Sequence, residues 1–344
     1  MKIFYSDKHA AHDCAGEIKD GELKPCFENP SRADAIDQAF KQNGFDTLYT
    51  PSDFGLEPVL KVHDADYIEF LHTAWQEWQA IGRKGDIFPL VWPGAGMRRE
   101  VQPENIDGKL GIYAFDSGTP ICAGTWGVVY QGAQAAISTA DAVMRKQTQH
   151  AFSFSRPPGH HAMPGQYGGY CFLNNAAIAA QYMRDNGAKK VAVLDVDYHH
   201  GNGTQAIFYN RADVLVVNVH SDPKHEYPYY LGHADEVGDG AGNGFNVNLP
   251  LPKGTGWDKY LPTLNKALHS LEQFAPDALV VSFGADTYKD DPLGFFKLDT
   301  NHFIEIGAAI AKLEIPTATI LEGGYAIEAL GDNVIAMING LSAK

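Results

Sequence analysis

The sequence predicts an α/β fold in which a mainly parallel sheet carries helices on both faces. Short apolar runs rich in β-branched residues alternate with longer segments of helical periodicity, which is typical of strand–helix–strand units. Several runs, such as Val191-Ala-Val-Leu and Leu279-Val-Val, are continuously apolar, as expected for strands that are buried on both faces. The predicted strands are residues 2–5, 47–50, 151–154, 191–195, 214–220, 246–249, 278–283 and 317–321.

Helical patterns lie between these strands, and no internal repeat or low-complexity linker divides the chain. We therefore predict one domain over residues 1–344. Residues 82–124 are rich in glycine and proline and lack periodicity, which indicates a large insertion loop with a functional role rather than a domain boundary. The predicted helices are residues 32–43, 65–80, 125–146, 174–186, 257–274, 302–313 and 326–338.

Composition narrows the function classes. Hydrophobic residues make up 44% of the 344 residues, enough for a large core, and the formal net charge is −15. This charge repels nucleic acid phosphates and anionic membranes, and it favours a cationic ligand. The four cysteines are scattered without a CxxC pair, which argues against a disulfide framework. No signal peptide or membrane-spanning run is recognisable, so a cytoplasmic location is expected.

Clusters of polar residues follow four of the predicted strands. They occupy residues 155–161, 195–203, 282–286 and 321–325. Because ligands of open parallel sheets bind beyond the carboxyl ends of the strands, we expect the four clusters to converge at one edge of the sheet.

Asp197, His199 and Asp286 are the candidate metal ligands. In an extended chain, residues two apart point to the same side, so Asp197 and His199 face one point, and Asp286 closes a different strand. Two carboxylates, one imidazole and an open position form a catalytic zinc pattern, since structural zinc sites are closed by four protein ligands. The alternative is that Asp197 and His199 only cap a helix or bond to a loop.

His160 and His161 are candidates for acid–base catalysis beside that metal. They follow Pro157-Pro-Gly159, and imidazole titrates near neutral pH. Asp195 is a candidate partner for one of them and Asn202 for the other. Tyr325, after two glycines, is a candidate donor to the oxyanion of a tetrahedral intermediate. Taken alone, an adjacent histidine pair or a tyrosine after a turn is more often structural.

Together these clusters resemble the histone deacetylase family of the arginase–deacetylase group. The matching segments are Arg156-Pro-Pro-Gly-His-His161, Gly169-Tyr-Cys-Phe-Leu-Asn-Asn175, Asp195-Val-Asp-Tyr-His-His-Gly-Asn-Gly203, Ser282-Phe-Gly-Ala-Asp286 and Glu322-Gly-Gly-Tyr325.

The resemblance implies a fold with an eight-stranded, mainly parallel sheet flanked by helices. It implies one zinc ion on Asp197, His199 and Asp286, base and acid roles for His160 and His161, and the oxyanion role for Tyr325. A structural potassium ion beside Asp195 is implied as well. Asn202 stands where other members carry aspartate, which leaves open which histidine performs which step.

Within the family the chain resembles bacterial acetylpolyamine amidohydrolases. The similar segments include Gly21-Glu-Leu-Lys-Pro, Leu60-Lys-Val-His-Asp-Ala and Gly203-Thr-Gln-Ala-Ile-Phe-Tyr209. The resemblance implies hydrolysis of acetylated polyamines or diamines such as acetylspermidine, acetylputrescine or acetylcadaverine. It also implies a homodimer formed through the insertion at 82–124, which narrows the active-site tunnel.

The same resemblance assigns substrate-binding positions. Tyr170 and Tyr227, with Gly169, match the tunnel wall, and aromatic walls suit a polymethylene chain with a cationic amine. Asp107 matches one acidic position that attracts the distant ammonium group. The second acidic position falls at Gly118, and Asp116 lies two residues before it.

Three other functions are alternatives to this prediction. An arginase-like ureohydrolase binds two manganese ions, but Gly201 and Gly284 stand where carboxylates for a second metal are expected. A non-catalytic module that binds acylated ligands would have lost some of the candidate residues, and all are present. A protein-lysine deacetylase of the same family would share the chemistry and differ only in access to the site.

Overall fold

A parallel sheet forms the centre of the structure, a computed structural model that describes residues 1–45, 47–98 and 100–343. Asp46, Arg99 and Lys344 lie outside the described residues; Arg99 belongs to the predicted insertion, and all three to the predicted domain. In the described part, the strands are β1 (Lys2–Phe4), β2 (Glu17–Lys19), β3 (Glu22–Lys24), β4 (His150–Ser153), β5 (Val191–Asp195), β6 (Val214–Ser221), β7 (Asn246–Leu251), β8 (Ala278–Phe283) and β9 (Thr317–Leu321).

Seven of these strands form one sheet in the order β1-β4-β9-β8-β5-β6-β7, and all neighbours pair in parallel. The other two, β2 and β3, form a small antiparallel hairpin. The helices of the described part are α1 (Ser31–Gln42), α2 (Glu57–Leu60), α3 (Ala65–Ala80), α4 (Ile106–Tyr113), α5 (Thr125–Met144), α6 (Asn175–Asp185), α7 (Asn202–Phe208), α8 (Trp257–Phe274), α9 (Thr300–Ala311) and α10 (Ile327–Ser342).

The sheet is buried on both faces because its apolar strands alternate between two cores. On β5, Val191 and Val193 pack into the core formed with α3, α5 and α6, whereas Ala192 and Leu194 pack into the core formed with α1, α8, α9 and α10. Side chains of successive strand residues point to opposite faces, so each apolar run contributes to both cores. None of the helices in the described ranges has the length and apolar character needed to span a bilayer.

The predicted α/β class, with a mainly parallel sheet between helical layers, is confirmed, but the predicted eighth strand is not formed. Residues 47–50 contribute a single bridge, in which the Tyr49 N–H donates to the Ile3 carbonyl (2.8 Å) and the Tyr49 carbonyl accepts from the Tyr5 N–H (3.1 Å). The next residue on the same side of the chain is Pro51, which has no N–H to continue the ladder.

Residues 82–124 contain more regular structure than the sequence predicted. They include α4, and a bridge joins Ile87 to Ile121 with N–O distances of 2.9 and 3.1 Å. Two glycines in α4 weaken its helical signal, and a Cβ at Gly111 would overlap the backbone carbonyl of Val91. Glycine therefore lets the loop and the helix pack together, which residue propensity does not reveal.

Candidate active site

Four neighbouring strands bring the four polar clusters together. The order β4-β9-β8-β5 makes them contiguous, and Asp195 at the end of β5 lies in register with Ser282 of β8. Phe283 of β8 pairs in turn with Leu321 of β9. Residues more than 160 positions apart, such as Gly159 and Glu322, are therefore hydrogen bonded at one edge of the sheet.

The three predicted metal ligands converge. The His199 Nδ1 atom lies 3.0 Å from Asp286 Oδ2 and 3.4 Å from Asp197 Oδ1. One donor atom from each residue lies within 4.8 Å of the others. The remaining oxygens are occupied, since Asp197 Oδ2 accepts from the Gly323 N–H (2.8 Å) and Asp286 Oδ1 from the Tyr198 N–H (2.9 Å).

The electrostatics of this group favour a cation. Asp197 and Asp286 are almost completely buried, and burial together with the negative charge of Asp197 raises the pKa of Asp286 to about 7. Two carboxylates that share a desolvated site are stabilised by a divalent ion, and two oxygens with one imidazole are ligands that zinc accepts. These three residues therefore fit a catalytic metal centre.

The two histidines have different partners. His160 Nδ1 lies 2.9 Å from Asp195 Oδ2, and His160 Nε2 lies 3.8 Å from Asp197 Oδ1. His161 Nδ1 lies 2.6 Å from Asn202 Oδ1, while the Asn202 amide donates to the His161 carbonyl (3.3 Å). The Asn202 oxygen is thus the acceptor, so His161 Nδ1 carries the proton and its Nε2 is the free base.

These partners move the two pKa values in opposite directions. Burial lowers the pKa of His160, but the carboxylates of Asp197 and Asp195 outweigh burial and raise it to about 10. Burial lowers the pKa of His161, and the neighbouring charges of His160 and His199 lower it further. Neighbouring groups with separated pKa values are the arrangement that acid–base chemistry requires.

Glu322 supports the histidine pair and was not identified from the sequence. Its buried carboxylate accepts from the Gly159 N–H (2.6 Å), the His160 N–H (3.0 Å) and the Ser282 hydroxyl (3.1 Å). These bonds fix the backbone of the turn that carries both imidazoles. The only sequence signal was its position three residues before Tyr325 in one motif.

Tyr325 is positioned by two residues that the sequence did not identify. Asp291 accepts from the Tyr325 N–H (2.6 Å), and the Arg32 guanidinium lies 4.7 Å from the Tyr325 ring centroid while Arg32 Nε donates to the Gly324 carbonyl (2.7 Å). Burial raises the pKa of Tyr325 well above its usual value. The hydroxyl therefore keeps its proton and can donate a hydrogen bond.

A pocket of about 670 Å³ opens onto these groups, with His161, His199 and Tyr325 among its lining residues. Tyr227 packs on the His161 ring with centroids 4.9 Å apart, and Tyr170 packs on the Tyr325 ring at 5.7 Å. Gly169 has a positive φ of 57°, and a Cβ there would overlap the His161 imidazole. The predicted wall residues therefore lie beside the predicted catalytic ones.

The two predicted acidic substrate contacts, Asp116 and Asp107, are bonded to other groups of this chain. Asp116 lines the pocket, but its Oδ2 accepts from the Gly169 N–H (2.6 Å) and the Tyr227 hydroxyl (2.9 Å), so it positions the wall. Asp107 is not among the pocket residues of this chain and forms a bidentate pair with Arg83 at 2.5 and 2.7 Å.

Two glutamates that the sequence did not identify line the same pocket. Glu17 accepts from the Tyr170 hydroxyl (2.9 Å), and Glu226 pairs with the exposed Lys253 (3.2 Å). Both lie in segments without a recognisable motif, so the sequence does not mark them as site residues.

Comparison with known proteins gives consistent matches over the whole chain. A family model for the histone deacetylase domain matches residues 26–341. The chain is 51% identical over 341 residues to acetylpolyamine amidohydrolase 1 of Pseudomonas aeruginosa, covering 99% of this chain and 98% of that protein. It is 43% identical over 342 residues to acetylpolyamine amidohydrolase of Mycoplana ramosa, covering 99% of this chain and 100% of that protein.

Two solved structures are similar to this chain over nearly its whole length. A crystal structure of acetylpolyamine aminohydrolase from Burkholderia pseudomallei matches with a TM-score of 0.94 at 38% identity, covering 100% of this chain and 99% of that one. The HDA15 HD domain matches with a TM-score of 0.83 at 25% identity, covering 99% of this chain and 88% of that one.

With a carboxylate–imidazole cluster and paired histidines at the carboxyl edge of its parallel sheet, the chain matches the hydrolytic deacetylases. The family model covers most of the chain, and the bacterial relatives align over nearly their full length. This chain belongs to the histone deacetylase family.

Proposed function

We propose that this chain hydrolyses the acetyl amide of acetylated diamines or polyamines, releasing acetate and the free amine. One observation carries the proposal: Asp197, His199 and Asp286 converge beside paired imidazoles in an aromatic-walled pocket. Four bacterial relatives that are named acetylpolyamine amidohydrolases, and that align with this chain over nearly their full length, support the substrate class.

Asp197, His199 and Asp286 would hold a single zinc ion. Zinc bound there would polarise the amide carbonyl and bring the pKa of a bound water to about 7. A single ion is supported by two glycines, because a Cβ at Gly284 would overlap Asp197 Oδ2 and a Cβ at Gly201 would overlap Asp195 Oδ2. Carboxylates for a second ion therefore have no room at either position.

The protein groups divide the proton transfers between them. His161 Nε2, held neutral and unprotonated, takes a proton from the attacking water and passes it to the departing amine. His160, charged and paired with Asp195, stabilises the negative charge that develops beside it. The Tyr325 hydroxyl donates to the amide oxygen as that oxygen gains charge.

The pocket suits a slender chain that ends in a cation. Tyr170 and Tyr227 offer aromatic faces to methylene groups and to an ammonium group. The charged lining residues are four carboxylates and one lysine, namely Glu17, Asp20, Asp116, Glu226 and Lys19, in a chain whose net charge is −15. A folded acetylated protein gains little from these features.

The substrate class is tested by comparing kcat/KM for acetylputrescine, acetylcadaverine, acetylspermidine and an acetyl-lysine peptide. We expect the best small amine to exceed the peptide by at least about tenfold, since the aromatic walls and carboxylates bind the flexible cation. A chelator should abolish each activity, and added zinc should restore it. A preference for the peptide would identify a protein deacetylase instead.

The proposal includes three finer features. A potassium ion beside Asp195 is supported by the burial of that carboxylate, which is 1% exposed. A homodimer through residues 82–124 is supported by four exposed apolar side chains there, Leu90, Val91, Met97 and Val101. A cytoplasmic location is supported by the four free cysteines.

Replacing Asn202 with aspartate should move the pH profile of kcat/KM. A carboxylate against His161 Nδ1 raises the pKa of His161 by roughly one to three units. Because the base acts in its unprotonated form, the acidic limb of the profile should move to higher pH by the same amount. Asn301→Asp, an exposed change on α9, is the matched control. An unmoved limb would remove His161 from the role of base.

A further inference from the structure

A second cluster of metal-ligand side chains lies outside the active site. His12 follows the short 3₁₀ helix Asp7–Ala11, Cys14 lies two residues later, and Cys122 precedes α5. One donor atom from each residue lies within 4.8 Å of the others. His12 Nδ1 lies 3.6 Å from Cys122 Sγ and 4.0 Å from Cys14 Sγ. The fold thus brings two thiols and an imidazole together across more than 100 residues.

We propose that His12 Nδ1, Cys14 Sγ and Cys122 Sγ form a second metal site, specific for a thiophilic cation such as Zn²⁺ or Cd²⁺. In a tetrahedral zinc site, Zn–S bonds of about 2.3 Å and Zn–N bonds of about 2.0 Å place sulfur and nitrogen roughly 3.6 Å apart. The two observed nitrogen–sulfur distances are close to this edge length, so a cation fits with small side-chain movements.

The far side of the imidazole has a partner that suits metal binding. His12 Nε2 lies 3.8 Å from Glu28 Oε2, and this nearby carboxylate favours the tautomer with the proton on Nε2. With the proton on Nε2, the lone pair of Nδ1 faces the two sulfurs. Glu28 is itself held by Arg156 (2.7 and 2.9 Å), so the position of this carboxylate is fixed by the fold.

Thr125 accommodates the change from the metal-free to the metal-bound state. Its hydroxyl oxygen lies 2.9 Å from His12 Nδ1 and 3.5 Å from Cys122 Sγ. When a cation takes the lone pair of Nδ1, the hydroxyl proton turns to the Cys122 sulfur. The threonine oxygen stays in place because it also accepts from the Cys122 N–H (2.8 Å).

The site is both enclosed and reachable. His12 and Cys122 are buried, whereas Cys14 is only partly buried and gives a path from solvent. A cavity of about 10 Å³, lined by His12, Cys14 and Cys26 among others, adjoins the cluster. This is about the space of one water molecule, which supplies a fourth ligand. The thiolate donors distinguish this site from the carboxylate–imidazole active site, since soft metals prefer sulfur.

Cobalt reports on the two sites separately. Thiolate ligands give Co²⁺ an intense near-ultraviolet charge-transfer band, which carboxylate and imidazole ligands do not. The full chain, reduced and stripped of metal, should bind a second equivalent of Co²⁺, and the charge-transfer band should appear as this equivalent binds. Cd²⁺ should then displace this Co²⁺ and remove the band. The band should persist in Asp286→Asn, so the outcome is independent of the proposed catalytic function.

Serine variants assign the ligands. The double variant Cys14→Ser/Cys122→Ser should lose the band and the second equivalent, and Cys14→Ser alone, at the partly exposed position, should weaken Co²⁺ binding by at least tenfold. The matched control is Cys26→Ser. The native Cys26 thiol donates to the Cys14 carbonyl (3.7 Å) but is not a proposed ligand, so this variant should keep the band.

Three metal-binding results would overturn the site, and one result on the thiols would do so as well. They are a single equivalent of metal without a thiolate band in the reduced chain, a band that survives the double variant, and a band lost only in Cys26→Ser. A Cys14–Cys122 disulfide that prevents metal uptake in protein kept under reductant would also count against it.

Discussion

Replacing Tyr325 with phenylalanine should lower kcat by on the order of a hundredfold to a thousandfold while the metal stays bound. The hydroxyl is the only group removed, so the ring keeps its contacts with Arg32 and Tyr170. A donor aimed at a developing oxyanion acts mainly in the transition state, so KM for the acetylated amine should change little. Steady-state kinetics and metal analysis of the same preparation test both statements.

Tyr230→Phe is the matched control for this change. Tyr230 is 88% exposed and is not among the residues that line the pocket, so its hydroxyl should have no effect on kcat. If Tyr325→Phe retained the parent kcat with its metal in place, the oxyanion would be stabilised by other groups. A fall in kcat that accompanied loss of metal would instead assign Tyr325 to the structure of the centre.

The sheet was predictable because its strands are buried on both faces. Residues 191–195, 278–283 and 317–321 form strands with the predicted bounds, since an unbroken apolar run has few alternatives inside an α/β fold. The hairpin of β2 and β3 was not predicted, because its strands are short and mostly polar and only Glu17 is buried. Helix α4 was missed because two glycines mask its periodicity.

The reacting groups of the candidate site could be selected from the sequence, but their supports could not. His160, His161, Asp197 and His199 stand in dense clusters at strand ends, where few structural roles compete. Residues that act through one long-range hydrogen bond, such as Arg32 on the Gly324 carbonyl, carry no local pattern. Their partners are set by how α1 packs on the sheet.

The substrate contacts were the least predictable part of the site, because they too depend on packing between distant segments. Asp107 and Asp116 were selected by their position in the insertion, yet both carboxylates bind other groups of this chain. Glu17 and Glu226 line the pocket because a hairpin and a loop fold over it. Loop geometry of this kind depends on the completed tertiary structure.

Replacing Glu28 with glutamine should lower the free energy of unfolding by roughly 3–5 kcal/mol. Glu28 is 5% exposed and accepts two hydrogen bonds from Arg156 (2.9 and 2.7 Å) and one from Arg32 (3.0 Å). Both guanidinium groups are buried, so the neutral amide leaves two charges without a counter-ion. Urea unfolding at neutral pH measures the loss, and Asp37→Asn is the control. Asp37 pairs with the exposed Lys41, and such a pair contributes about 1 kcal/mol or less.

The pH dependence of this difference separates the buried charge from simple loss of packing. Burial raises the pKa of Glu28, but the charges of Arg156 and Arg32 outweigh burial and leave the pKa below its ordinary value. A carboxyl group with a lowered pKa in the folded state stabilises the protein above its unfolded pKa of about 4.3, and this contribution disappears as pH falls through the folded pKa. The difference in the free energy of unfolding between the parent and Glu28→Gln should therefore be largest at neutral pH and become smaller in acid. A loss that stayed constant with pH would mean that the glutamine disturbs packing, whereas a loss below about 1 kcal/mol would mean that the two arginines find other acceptors.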